Sequence, residues 1–510
     1  MNDAIKVLRE RLESQSRIDV PEQVKKWLSE PRRLFIGGRW KEGNKSATFP
    51  TLNPATGETL SQICCAERED VELAVSSARS AFERGAWSRM PLKERAVVVR
   101  RIGDLILEHR PVLALLETLD SGKPIRESYE GDIFRAAQNF QFFAEFATHE
   151  EAPFFPNPED VHFAFREPLG VVALITPWNL PLYLETWKVA PALMMGNSIV
   201  LKPSELTPLT ACYLAELIEK SGLPEGVFNL VQGFGENSTG EFLTSSRSID
   251  AISFTGETST GRAIMKSAAA GPTRVSFELG GKGATVVFDD ANLEQAVSEA
   301  ARAAFRNQGE ICLACPRIFV QRNVYDAFLD GFVKKAREVV LGDPLDYATT
   351  MGALISADHW EKVSGYLSRV KAPSRILTGG SRPKELSGGN FMAPTVVVDV
   401  GLDHPISREE VFGPVVSIYP FTDEKEVCRA VNDTPYGLSA SIWTTNLARA
   451  HRVAREIQIG LVWINCWFVR DLRVPFGGQK RSGLGREGGT HSLDFFSEWK
   501  SVCVKMEPSI

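Results

Sequence analysis

The sequence predicts an α/β protein made of two doubly wound parallel-sheet domains and a small β arm. Three observations carry this expectation. First, GVVALITP from position 170, SIVLKP (198–203), FNLVQG (228–233) and AISFTG (251–256) are apolar runs of strand length. A strand covered on both faces loses its polar alternation, so such runs mark a parallel sheet. Second, helical stretches such as PLYLETWKVAPALMMG and TPLTACYLAELIEKSG lie between the runs, which is the order a βαβ series needs. Third, the alternation restarts at ATVVF (284–288) and continues through RIFVQ (317–321), VVSIYPF (415–421) and LVWIN (461–465). A junction between two sheets therefore falls near Gly280–Gly281.

Ahead of the first series, the opening thirty residues read as an amphipathic helical extension that ends at Pro31. FIGGRW (35–40) and TLNPATGE (51–58) read as short strands and turns. Residues 92–116 carry apolar positions at helical spacing with Arg and Glu opposite, and SGKP (121–124) stops that helix. Segments 146–168 and 490–510 fit neither series and read as an arm and a tail that add to a neighbour's sheet. No internal repeat or low-complexity tract interrupts the chain.

At 510 residues the chain is too long for one ordinary core. Hydrophobic residues make up 43% and charged residues 24%, the balance of a globular protein. A net charge of −6 offers no basic field for a nucleic-acid backbone. No apolar run reaches bilayer length, and MNDAIKVLRERLESQ lacks the apolar core of a secretory signal, so the expected compartment is cytoplasmic. Eight cysteines are too sparse for a disulfide scaffold, and a reducing compartment keeps them as thiols. Adjacent Cys64 and Cys65 read as buried near a strand.

The cysteines of NQGEICLACPRIFV (307–320) pose a question. Cys312 and Cys315 fit a redox pair, half a metal site, or one working thiolate beside a bystander. The dinucleotide fingerprint G-x-G-x-x-G fails: Gly233-Phe-Gly235-Glu-Asn-Ser238 has Ser where the third Gly belongs. No G-x-x-x-x-G-K-[ST] is present, which excludes the usual phosphoryl-transfer site. FTGETSTG (254–261) lies between a strand and a helix and could seat a pyrophosphate at the helix N-terminus; a plain glycine turn explains it equally. In SIVLKPSE, Lys202 and Glu205 at a strand's end can bond the hydroxyls of an adenosine ribose, and the carboxylate disfavours a 2′-phosphate. A helix N-terminus capped by Ser204 is the alternative.

Taken together, TPWNLPL (176–182), LKPSE (201–205), FTGETSTG (254–261), ELGGK (278–282), NQGEICLA (307–314), EEVFGPV (409–415) and PFGGQKRSGLGREGG (475–489) resemble the aldehyde dehydrogenase superfamily over nearly the whole chain. The resemblance implies NAD-dependent oxidation of an aldehyde to a carboxylic acid by a homodimer or homotetramer. It implies a Rossmann-like NAD-binding domain (31–145 and 169–280), a catalytic domain (281–480), and an oligomerisation arm and tail (146–168 and 490–510). The extension 1–30 exceeds the usual family start and has no functional account.

In the family motif the nucleophile is Cys312, and Cys315 stands where a small residue is usual. No second C-x-x-C and no neighbouring histidine completes a zinc site, so no metal is expected. A thiolate converts the aldehyde into a tetrahedral adduct whose collapse releases hydride and leaves a thioester for water to cleave; an ordinary thiol, with a pKa near 8.5, needs help to ionise. Asn179 matches the oxyanion donor, acting with the Cys312 backbone N–H; it also reads as a helix N-cap before Pro181. Glu278 matches the base of deacylation and otherwise reads as a strand-end carboxylate. Glu410 and Phe412 match residues that hold the nicotinamide ribose and ring. Ile175, Trp178, Lys202, Ser204, Glu205, Gly235, Phe254, Thr255, Gly256 and Leu279 match further cofactor contacts. Glu257 departs from the Ser or Gly of many relatives, and an acidic group there sits beside the expected pyrophosphate.

NQGEICL, GLVWINCWFVRDLRVPFGG and LISADHWEKVSGY are most similar to dehydrogenases of ring-cleavage semialdehydes, of 2-aminomuconic, 2-hydroxymuconic and 5-carboxymethyl-2-hydroxymuconic type. Such carboxylates suit arginine. Arg470 and Arg135 match substrate positions; their alternatives are an ion pair with Asp471 and a solvated helix face, and Arg473 competes with Arg470. Three other classes stand beside this reading. They are a broad-specificity aldehyde dehydrogenase, an acylating relative that passes the thioester to coenzyme A, and a thiol–disulfide oxidoreductase using Cys312 and Cys315. A non-enzymatic relative would usually lack the nucleophile.

Overall fold

The computed structural model describes residues 1–506, so the last four positions of the 490–510 tail lie outside the described residues. Its first large sheet runs Arg39–Lys41, Leu34–Ile36, Phe228–Leu230, Ser198–Lys202, Val171–Ile175, Ala251–Thr255, Arg274–Glu278, Gly483–Leu484. The five central strands are parallel. From Val171–Ile175 the chain adds two strands on one side and then returns to add two on the other. Every residue of Val171–Ile175, Ser198–Lys202 and Ala251–Thr255 is buried, which is why these strands carry no polar alternation. Gly37 and Gly38, at φ 64° and 76°, make the tight hairpin that extends the sheet edge.

The second sheet runs Arg375–Thr378, Thr395–Val398, Val415–Phe421, Arg317–Gln321, Ala284–Val287, Ser439–Trp443, Leu461–Ile464. All its pairs are parallel except the first. A third sheet pairs Ser497–Lys505 with Asp160–Pro168 in antiparallel register, with Phe154–Pro156 at its edge. Phe154, Phe155 and Trp499 are exposed on this sheet.

Several elements differ from the sequence reading. The single helix expected over 92–116 is two, Leu92–Glu108 and Arg110–Ser121. His109 separates them, and Pro111, which has no N–H to give, sits in the first turn of the second. Three parallel strands were not in the expected series. Ser439–Trp443 carries hydroxyls, but Ser439 and Ser441 donate to the carbonyls of Leu313 and Cys466 at 3.2 and 2.8 Å, so their burial is satisfied. Arg274–Glu278 opens with an arginine, which donates to the carbonyls of Asp494, Phe495 and Ser497. Thr395–Val398 carries three valines after a threonine whose hydroxyl donates to Ala393 O at 2.7 Å, and all four residues are buried.

The N-terminal extension forms helices Asn2–Glu13 and Glu22–Ser29. Ala4, Leu8 and Leu12 make one buried stripe, packed on helix Arg110–Ser121. Among the described residues no helix is long and apolar enough to cross a membrane.

Candidate active site

In the first sheet the winding direction reverses between Val171–Ile175 and Ala251–Thr255, and a crevice for ligands opens at the carboxyl ends of strands at such a point. Ile175 ends one strand; Phe254 and Thr255 end the other and are buried. The backbone N–H of Gly256 donates to Glu278 O at 3.0 Å. Glu257 is exposed at the N-cap position of helix Thr258–Ala268. The hydroxyls of Thr176, Thr255 and Thr258, all at this crevice, are buried without hydrogen-bond partners among the described residues. One strand over, Lys202 Nζ donates to Pro203 O at 3.0 Å and reaches Glu205 at 3.4 Å. Ser204 does not cap a helix, because the next helix starts at Leu209; its Oγ accepts from Leu206 N at 3.3 Å and closes a turn. Gly235 is exposed in the loop before helix Thr239–Thr244. Leu279 is half-buried, and a Cβ on Gly261 would come within 2.7 Å of it.

Cys312 follows a strained turn. Asn307, Gln308 and Gly309 are all left-handed, at φ 48°, 57° and 73°, which for the two non-glycine residues costs about 1–3 kcal/mol each. A buried polar network holds the turn. Asn307 Nδ2 donates to Asn179 O and Glu310 O at 3.0 and 3.1 Å. Gln308 Oε1 accepts from Gly352 N at 3.2 Å, and Glu310 Oε1 from Ile355 N at 3.1 Å. Gly309 is compulsory, since a Cβ there would lie 2.3 Å from Gly413 O. Cys312 is half-buried. Burial pushes its thiol up to about 12, Glu278 and Glu410 add to this, and Arg470 opposes it. Cys315 is fully buried and burial holds it, too, at about 12, with Ser439 and Thr285 as hydrogen-bonding neighbours.

The carboxylates approach through glycines. Glu410 Oε1 accepts from Gly281 N at 2.7 Å, and a Cβ on Gly281 would stand 2.8 Å from Cys312 O. Burial raises Glu410 to about 7. Phe412, at φ 59°, has its ring edge-on to Trp178 at 5.3 Å, and its carbonyl meets His359 Nε2 at 2.6 Å. Burial lowers His359 to about 4, so the neutral ring donates from Nε2 to that carbonyl. Glu278 ends strand Arg274–Glu278 beside Gly477, where a Cβ would come within 2.8 Å of Oε1. That Oε1 has no hydrogen-bond partner among the described residues. Burial, then the charge of Glu487, raises the Glu278 carboxyl well above its usual range, and Lys188, Arg486 and Arg470 oppose the rise. Lys188 itself is buried, bonded to Glu487 at 2.6 Å and to Ser253 at 2.9 Å.

Asn179 is not the N-cap of helix Pro181–Met194; Leu180 holds that position without a side-chain cap. Its Nδ2 donates instead to Glu310 O at 2.8 Å. Its own carbonyl accepts from Lys123 Nζ at 3.0 Å. Lys123 is wholly buried and also bonds Asp132 at 2.7 Å and Glu117 at 3.2 Å. Sequence reading did not single out Lys123, Lys188 or Glu487; Lys188, inside the apolar stretch LETWKVAPALMM, carried a signal, since burial of a charge demands partners, whereas Lys123 and Glu487 lie in polar, glycine-containing segments that give none.

Arg470 donates to Tyr183 Oη at 2.8 Å and lies 4.0 Å over Phe476 and 4.9 Å over Trp187. It does not pair with Asp471, which Arg473 takes at 2.6 Å on the surface. Arg135 is half-buried on helix Ile133–Phe146, one turn before Asn139, whose amide donates to Tyr183 O at 3.1 Å.

Comparison with known proteins gives one consistent answer. The aldehyde dehydrogenase family profile matches residues 40–502. A 2-hydroxymuconic semialdehyde dehydrogenase of Pseudomonas sp. (strain CF600) is 44% identical over 481 residues, 92% of this chain and 99% of that one. A 2-aminomuconic semialdehyde dehydrogenase of Bos taurus is 44% identical over 479 residues, 92% of this chain and 97% of that one. The NAD+ complex of an aldehyde dehydrogenase from Bacillus cereus superposes with a TM-score of 0.94 at 40% identity, covering 96% of this chain and all (100%) of that one. The chain belongs to the aldehyde dehydrogenase family.

Proposed function

We propose that this protein oxidises an aldehyde to a carboxylic acid with NAD, through a covalent adduct on Cys312. Its substrate is a carboxylate-bearing ring-cleavage semialdehyde of 2-hydroxymuconic or 2-aminomuconic type. The observation that carries the reading is the convergence of Cys312, the Asn179 amide, the Glu278 carboxyl and the Arg470 guanidinium on one site. The names of the relatives support the substrate class.

The crevice suits a dinucleotide. It lies at the reversal of strand order, and its three buried threonine hydroxyls lack partners among the described residues. Lys202 and Glu205 would hold the adenosine ribose, the 256–258 turn the pyrophosphate, and Glu410, Phe412 and Trp178 the nicotinamide end. Glu257 beside that turn would weaken the phosphate contact. NAD, when bound, supplies the hydride acceptor.

The chain's own residues supply the rest. The Cys312 thiol gives its proton to water, its sulfur bonds the aldehyde carbon, and the carbonyl π pair moves to oxygen. Asn179 has two N–H groups; Glu310 O fixes one, and the other is available to that oxygen, a donor whose loss typically costs ~10²–10³-fold in rate. The thioester that remains is cleaved by water. Glu278 takes the water's proton; burial raises its carboxyl above the usual range, which makes the carboxylate a stronger base than an exposed one. Arg470 receives the substrate carboxylate while Phe476 and Trp187 flank it. Cys315, walled in, fits packing better than thiol exchange. The arm and tail, with Phe154, Phe155 and Trp499 exposed, suit assembly as a homodimer or homotetramer.

The test is NADH formation with a panel of aldehydes. Freshly generated 2-hydroxymuconic and 2-aminomuconic semialdehydes are expected to give a higher kcat/KM than hexanal or benzaldehyde. A preference for the neutral aldehydes removes the substrate class.

A further inference from the structure

Tyr183 lies in the first turn of helix Pro181–Met194, just past Asn179 in the chain. It is only 4% exposed. Its backbone is pinned, because the Tyr183 carbonyl accepts from Asn139 Nδ2 at 3.1 Å and from Thr186 Oγ1 at 3.0 Å. The side chain packs with Leu180, Leu184 and Phe468, and Phe468 also packs on the apolar cluster that Cys312 joins. A ring held this way has little freedom to turn toward a partner, so what its hydroxyl bonds has to come to it.

That hydroxyl is half used. A phenol has one proton to give and lone pairs with which to accept. Tyr183 Oη accepts from Arg470 Nη1 at 2.8 Å and makes no other hydrogen bond among the described residues. Its own proton therefore has no acceptor there, and a buried phenol O–H usually has one. Arg470 is in the same condition. The bond to Tyr183 is the one hydrogen bond its guanidinium makes among the described residues, and neighbouring Asp471 is taken by Arg473. Phe476 and Trp187 approach it with their rings and accept none of its N–H groups. The charge of Arg470 is nonetheless felt at the reacting centre, where it opposes the rise of both the Cys312 thiol and the Glu278 carboxyl.

We propose that Tyr183 determines substrate specificity with Arg470: its O–H donates to one oxygen of the substrate carboxylate that the arginine binds. The inference rests on the reading that Arg470 receives that carboxylate. Arg470 Nη1 carries two hydrogens. One is given to Tyr183 Oη, and the other is left for the anion, so the phenol and the guanidinium address the same group. The cation supplies attraction, and the fixed neutral donor supplies direction.

The experiment measures kcat/KM for 2-hydroxymuconic semialdehyde and for hexanal in full-length wild type, Tyr183→Phe, Arg470→Ala and the double variant. Tyr183→Phe removes one oxygen and keeps the ring. It is expected to lose about tenfold on the semialdehyde, through KM, and under about twofold on hexanal. In the Arg470→Ala background the same substitution is expected to cost the semialdehyde a further loss of about threefold, because the phenol still meets the carboxylate. A tyrosine that only aligned Arg470 would cost nothing once the arginine is gone. Equal losses on the two substrates in Tyr183→Phe, no loss on either, or no further loss in the double variant overturns the role of Tyr183 while Arg470→Ala stays selective against the semialdehyde. Arg470→Ala that loses equally on both substrates overturns the reading of Arg470 and this inference with it.

Discussion

The side-chain amide of Asn179 donates to the backbone carbonyl of Glu310 at 2.8 Å, two residues ahead of Cys312. That bond ties the loop after Val171–Ile175, in the first sheet, to the turn that precedes Cys312. The carbonyl of Asn179 is held in turn by Lys123 and Asn307. A donor to a developing oxyanion is useful only if it does not reorganise during reaction; here one bond orients the side-chain amide and two more pin the backbone of the same residue.

Lys123→Met is expected to destabilise the protein by ~3–5 kcal/mol, because it leaves Glu117 and Asp132 buried without their cation. Urea denaturation checks this. A loss under about 1 kcal/mol would mean the carboxyls are neutral and the triad is not an ion cluster.

Glu278→Ala is expected to form NADH in a burst of about one equivalent and then turn over slowly, since acylation survives while deacylation stalls. Rapid-mixing absorbance at 340 nm separates the phases. A normal steady-state rate removes Glu278 from the water-activating role.

The pH dependence of the Cys312 thiol has a definite sign. Burial first, then Glu278 and Glu410, push it up to about 12, and Arg470 pulls it down. In the protein without ligands, alkylation by iodoacetamide is therefore expected to climb steadily between pH 7 and 10. Glu278→Gln removes a like charge, lowers the thiol's pKa and speeds alkylation at pH 8 by roughly threefold or more, in proportion to the thiolate present. Arg470→Ala removes the opposing cation and slows it. Reversed signs would mean that these groups do not share the thiol's surroundings.

Arg470→Ala is expected to raise KM about tenfold or more for a muconic-type semialdehyde and far less for hexanal. Steady-state kinetics on both substrates measure it. Equal losses would assign Arg470 a packing role through Trp187 and Phe476.

The strands that line the cofactor crevice were legible in the sequence because burial on both faces makes them uniformly apolar, as in Val171–Ile175. Ser439–Trp443 and Arg274–Glu278 were not, because their polar residues find carbonyl partners that only the folded chain supplies. The break at His109 was marked by Pro111 and overridden by the continuing apolar spacing. In the site, motifs single out Asn179, Glu278 and Cys312 by type and order. They carry no sign of the partners that orient them. Lys123 reaches Asn179 across 56 positions, and Arg470 meets Tyr183 only in the folded chain. Local pattern records propensity and burial; it does not record which distant carbonyl or ring completes a contact.

The most direct test is mass spectrometry of the Glu278→Ala protein, acid-quenched after mixing with NAD and semialdehyde and then digested. The account predicts an acyl adduct on the peptide bearing Cys312 and Cys315 that persists in Cys315→Ser and vanishes in Cys312→Ser. An adduct that survives Cys312→Ser, or turnover at the normal rate in that variant, would contradict it.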